Sequence, residues 1–274
     1  MTTITEVRDG RSTGGGGGGE GGGFAGAAAA EWTKLWSLRS TWWGLASAAG
    51  LMTLMSFILA TSTASNNTNE ITTDDQGVVS VSGIAVGAID LVQFVPVTLA
   101  ILVITAEYAT GGIRAALQWV PVRGRMLGAK AAVVAAVTAP AGMVLAVLGT
   151  AVAGPGLGRW GRFSFGDAAA DVLNVGVYLA LICVFSLGIG AVLRSTAGAL
   201  TAAFLLLMMI PMLLSNSPIP ALRHVSDSLP SSAGRHFMAA EPGPYPALVG
   251  LLILVAWAAA VMVAAIAVLK RRDA

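Results

Sequence analysis

Charge is what this sequence has least of. Only 11% of its 274 residues are Asp, Glu, Lys or Arg, where soluble domains carry about a quarter. A formal net charge of +2 is too small for a nucleic-acid partner. One cysteine, Cys183, allows no intrachain disulfide, and its place in an apolar block makes it a free thiol in lipid or a helix interface. The two histidines, His224 and His236, have no carboxylate or cysteine at metal spacing and read as surface residues, so no metal site is expected. The glycine run at residues 14–23 is followed by no Lys-Ser or Lys-Thr and preceded by no strand, so it is not a phosphate loop, and no nucleotide or other cofactor is expected in this chain. The start of the sequence also lacks a basic segment, apolar core and cleavage site, so no signal peptide is expected there.

What is present is hydrophobic length. The chain is 55% hydrophobic with a mean hydropathy of +0.77, and its apolar residues fall in blocks of about 20, enough to cross a hydrocarbon core as a helix. These features predict an all-α integral membrane protein in two parts: a disordered Gly-rich tail, 1–26, and a transmembrane domain, 27–274. An interfacial helix is expected over Ala27–Ser40, with Trp32, Leu35 and Trp36 on one side and Glu31, Lys34 and Arg39 marking the polar side. Six spans are expected near Trp42–Ala60, Ile84–Ala106, Ala131–Ala153, Val172–Leu193, Ala197–Leu214 and Ala247–Leu269. Between them lie a polar loop at Thr61–Ser82 without Lys or Arg, a Gly-rich loop at Gly154–Ala170, a tight turn at Arg194-Ser195-Thr196 and a Pro-rich segment at Ser215–Pro246.

With both termini inside, the inner loops hold twelve of the Lys and Arg residues and the outer loops only Arg159, Arg162, Arg223 and Arg235. The positive-inside rule therefore places both termini in the cytoplasm of a plasma-membrane protein. In the outer Pro-rich segment, Leu222, Val225 and Leu229 mark a short amphipathic helix ended by Pro230. A second short piece runs through Phe237 and Met238, both lying on or dipping into the outer leaflet.

Two places invite a functional reading. Between spans two and three, Gly111 and Gly112 break the arriving helix and Pro121 closes a piece of about two turns. Ile113, Ala116, Leu117 and Val120 share one face of it, opposite Arg114 and Gln118. So short a helix needs lipid or a protein to lie against. The second place is Asp90, about two turns into the second span, with Gln93 one turn on and Pro96 beyond it as a kink. This polar patch either lines a substrate path or sits in the outer headgroup region near Arg159 or Arg162. Otherwise no His, Lys, Arg or Glu is expected well inside a span, and Asp90 alone offers no nucleophile and base pair, so no catalytic residues and no enzyme are expected.

The pattern resembles the permease subunit of type 2 ABC exporters from about Glu31 onward. The residues carrying the likeness are Glu107-Tyr108, Gly111, Arg114, Pro121, Arg123 and Lys130, the external Leu229-Pro230-Ser231-Ser232-Ala233-Gly234, and the terminal Arg272-Asp273. Gly112 departs from it, since many relatives have threonine there. The resemblance implies six spans, an interfacial connecting helix, short external helices between spans five and six, and a cytoplasmic coupling helix between spans two and three. Glu107, Tyr108, Gly111, Ile113, Arg114 and Leu117 would then dock a separately encoded ATP-binding subunit, and a second permease copy would complete a dimer that moves a substrate outward. The other class that fits is a non-transporting membrane protein, an assembly or immunity factor.

Overall fold

The computed structural model describes residues 23–69, 76–111, 123–239 and 243–271. Helix α1 (Phe24–Ser37) starts inside the expected tail and is set off by an extended Leu38 from α2 (Arg39–Thr68). A two-residue strand β1 (Val79–Ser80) leads into α3 (Val81–Val92) and α4 (Phe94–Thr110). Then come α5 (Arg123–Leu157), a 3-10 turn (Gly158–Trp160), β2 (Gly161–Arg162) and α6 (Phe165–Leu193). The chain continues through α7 (Thr196–Phe204), a π turn (Leu205–Met209), α8 (Ile210–Ser215), α9 (Pro220–Asp227), α10 (Pro230–Met238) and α11 (Ala247–Arg271).

Among the described residues, five helices are long and apolar enough to cross a membrane: α2, α5, α6, the run α7 through α8, and α11. A sixth span is formed if α3 and α4, bent by 41° at Gln93, are taken as one. The bend has a local cause. Pro96 has no N–H for the carbonyl of Val92 and its ring crowds that turn, so the helix breaks just before the proline. Pro211 acts alike in the fifth span, where the turn before it widens to π geometry. The Pro211 carbonyl also accepts from the Ser226 hydroxyl at 3.0 Å, which ties α9 to this turn.

The central helix is α6, packed against α4, α5 and α11. Its buried residues include Val175, Tyr178, Leu179, Ile182, Cys183 and Phe185. Large apolar side chains on α2 and α11, among them Leu54, Phe57, Leu248 and Leu252, face outward, as expected where lipid or a second membrane protein is the solvent.

Several expected boundaries shift. The region 154–170 is mostly helical: α5 runs to Leu157, Ser164 caps α6 by accepting from the Asp167 amide, and the connection is short. Within it, β2 pairs in parallel with β1, which precedes α3, Val79 beside Gly161 and Ser80 beside Arg162, a contact that hydropathy does not signal. The polar loop after the first span begins later than expected because α2 continues to Thr68. The turn after α6 has left-handed Arg194 (φ 54°), with Ser195 capping α7. The remaining shift matters for function: α5 starts at Arg123 rather than near 131, which carries Lys130 into a helix.

Candidate functional site

The first polar group lies at the end of the bundle that carries α1. Lys130, on α5, is fully buried. Its ammonium pairs with Glu107 of α4 at 2.7 Å and with Glu31 of α1 at 2.6 Å. The same Glu107 oxygen also takes the ammonium of Lys34, one turn along α1. A buried Lys is costly unless its charge is met, and two carboxylates meet it. Two acids and two lysines leave the group neutral.

Glu31 turns inward from α1 onto Lys130 of α5, while Lys34 reaches Glu107 and keeps 47% of its side chain exposed. Lys130 and Glu107 lie within helices of the bundle, toward the end that carries α1. The i, i+3 spacing of Glu31 and Lys34, opposite in sign and matched by a distant Glu and Lys, was the available signal, but sequence spacing alone does not reveal which way an interfacial helix rolls.

Tyr108 and Gly111 belong to the same end. The Arg194 guanidinium lies 5.1 Å from the Tyr108 ring centre, and the Tyr108 hydroxyl reaches the Ala191 carbonyl at 3.5 Å, fastening α4 to the end of α6. Gly111 ends α4 with φ of 72°, left-handed geometry that disfavours a side chain. Ile113, Arg114 and Leu117, with Ala116, Val120 and Pro121, lie outside the described residues.

The second polar group surrounds the Gln93 break. Gln93 is buried. Its amide nitrogen donates to the Asp90 carbonyl at 2.8 Å, and its amide oxygen accepts from the hydroxyl of Tyr178. The Asp90 carboxylate is 3.8 Å from the Arg235 guanidinium on α10, with both side chains nearly half exposed. Arg235 also reaches the Ser232 hydroxyl at 3.4 Å. Asp90 therefore stands beside Arg235 and not beside Arg159 or Arg162. It is nine residues along α3, roughly 13 Å from that helix's start. Pro96 is buried near the start of α4.

Helix α10 is the element whose placement the sequence leaves most open. It is packed into the bundle, with Pro230 through Gly234, Phe237 and Met238 buried. Gly234 allows this, since a Cβ there would fall 2.0 Å from the Tyr178 ring. On the flank of α10, His236 lies 3.6 Å from Asp227 and stacks edge-on against Tyr245 at 5.0 Å. The Tyr245 hydroxyl donates to the Asp227 carbonyl, and burial, helped by the Asp227 carboxylate, pushes its pKa up to about 12. His236 is thus a structural partner of Asp227. Among the described residues no group of three His, Cys, Asp or Glu side chains could hold a metal ion.

Both polar groups sit on the α3–α4 pair, one at each end of α4. Comparison with protein-family models and with curated proteins returns no match, so the functional reading rests on this geometry and on the sequence.

Proposed function

We propose that the chain is the membrane subunit of an ATP-driven exporter, working as a dimer with a separately encoded ATPase that docks from the cytoplasm on residues 107–120. The observation that carries this reading is the way both flanks of residues 112–122 are tied. Glu107, just before them, and Lys130, just after them, form one buried ion pair, which Glu31 and Lys34 extend to α1. A push on the intervening segment would therefore move α1, α4 and α5 together.

The far end of α4 is where such a push has an outlet. There the span is broken at Gln93, and the break adjoins Asp90, Tyr178 and the inserted helix α10. In this reading the Asp90–Arg235 contact closes a path on the outer side, and α10 moves away as the α3–α4 bend changes. Broken helices and polar side chains inside a membrane bundle are where substrate paths are usually built. A nucleotide site is not expected in the chain, so the energy would come from the partner.

The test is recovery of an ATPase with the affinity-tagged chain from membranes of the native host. Wild type is expected to bring down a stoichiometric ATP-binding subunit. Ile113→Ala with Leu117→Ala is expected to insert normally but release it, since truncating a large aliphatic anchor costs roughly 2 kcal/mol or more. Equal ATPase recovery from the double variant would refute the docking role. Absence of any ATPase from the wild-type preparation would favour the non-transporting class.

A further inference from the structure

Charge holds α1 to the bundle more than packing does. None of its residues is buried. Ala27 packs against the main apolar cluster, and the Phe24 ring lies over Gly128 of α5. Farther along, Leu35 lines a cavity of about 420 Å³ shared with α2, α4 and α5, and Trp32 and Trp36 line a groove of about 300 Å³ against α2 and α5. Close-packed interiors leave few voids of that size, so apolar contact contributes little to the seat of α1.

The elbow that follows is held locally. Leu38 is extended, with φ −85° and ψ 122°. The Thr41 hydroxyl donates to the Leu35 carbonyl at 2.8 Å, and the Trp42 indole nitrogen donates to the Trp36 carbonyl at 3.4 Å. Both acceptors are last-turn carbonyls of α1, which water can serve when the elbow opens. What ties α1 to α4 and α5 is therefore the pair of ion contacts, Lys34 to Glu107 and Glu31 to Lys130.

The same four charges have a second complete pairing. Glu31 and Lys34 stand three residues apart on α1, where opposite charges meet along a helix, and Lys130 already holds Glu107 at 2.7 Å between α5 and α4. If α1 lifts, each half of the cluster stays neutral, with one acid and one base on α1 and one of each on the bundle. A buried charge left without any partner is what makes most such separations costly, and this one creates none. Trp32, already 44% exposed, suits the headgroup layer beside the bundle.

We propose that α1 is a strap with two states, closed by Glu31–Lys130 and Lys34–Glu107 and released by exchange to Glu31–Lys34 and Glu107–Lys130. The choice between them decides whether α1 moves with α4 and α5. The exchange requires no ATPase, so it stands apart from the exporter reading.

The test places nitroxide labels at Thr33→Cys on α1 and Arg125→Cys on α5, both exposed positions, in a Cys183→Ala chain reconstituted in phosphatidylcholine nanodiscs. Their separation is read by double electron–electron resonance. With the native charges two distances should appear, the shorter dominant and the longer in about one molecule in ten. Glu31→Lys with Lys34→Glu keeps the pairing along α1 but sets like charges against Lys130 and Glu107. The ratio of long to short should then rise at least about 10-fold, while circular dichroism shows the helical content of the bundle unchanged. Adding Glu107→Lys with Lys130→Glu restores opposite charges across the contact and should return the shorter distance. A single distance with the native charges, an unchanged ratio after the first exchange, unfolding of the bundle by that exchange, or no return of the shorter distance in a folded fourfold variant would each overturn the assignment.

Discussion

The two ends of α4 solve the problem of charge in an apolar bundle in opposite ways. At the α1 end, four charged side chains are drawn together with contacts of 2.6 and 2.7 Å to a fully buried Lys130. At the α10 end, one Asp and one Arg stand 3.8 Å apart with nearly half of each side chain exposed. The Glu31–Lys130–Glu107 part of the cluster is largely buried, and losing any of those three strands its partners, whereas a half-open pair separates at little cost. In the exporter reading proposed above, the difference would suit a lever, clamped where force would be applied and free where a path would open.

The strongest way to break this comparison is at Lys130. Lys130→Ala leaves Glu107 and Glu31 facing each other beside an apolar wall, and removing one partner of a buried ion pair costs roughly 3–5 kcal/mol. The thermal midpoint of the purified chain should fall sharply, and α1 should become accessible to protease around Leu38. A midpoint within a degree or two of wild type would mean that the cluster is not the clamp described.

Gly234→Ala comes next. Its new Cβ cannot coexist with the Tyr178 ring as placed, so α10 must lift or the ring must turn, at about 1–3 kcal/mol for overpacking of this kind. Thiol labelling of Ser231→Cys in a Cys183→Ala background should rise, because Ser231 lies on the buried side of α10. Unchanged labelling would show that the helix is not held by this contact.

The smallest effect on stability is expected from Asp90→Asn. An ion pair so exposed contributes about 0–1 kcal/mol, so the thermal midpoint should barely move. The same substitution should still change transport in the exporter reading, since it removes the charge that holds Arg235. A large loss of stability would place Asp90 with the buried Lys130 group and erase the contrast between the ends.

Which of these features could be read from the sequence follows from their physics. Span positions are written in blocks of apolar residues because water and lipid act on every residue alike, so the bundle's helices fall close to where hydropathy puts them. The break near Pro96 is also legible, proline's missing donor being a property of one residue. Contacts made by a few side chains far apart in the chain are not. Glu31, Lys34, Glu107 and Lys130 are spread over four turns of three helices, and their meeting depends on how α1 rolls. Tyr178 sits in an apolar run without any mark that its hydroxyl would find Gln93. Arg235 reads as an outer-loop charge until Gly234 is seen to let α10 sink against α6. Hydropathy likewise undercounted α5, because Arg123, Arg125 and Lys130 look like the edge of a loop when the carboxylates that neutralise Lys130 are elsewhere in the sequence.

In the exporter reading, residues 107–120 and the Asp90–Arg235 contact are linked through α4, and one measurement addresses that link directly. Asp90→Cys and Arg235→Cys, combined with Cys183→Ala, can be joined by a short bis-maleimide across this contact in a complex isolated with the proposed ATPase. If the ends are coupled, the cross-linked complex should lose most of its ATP hydrolysis, while the same complex treated with a monofunctional maleimide should keep it. Hydrolysis unaffected by a completed cross-link would contradict the account.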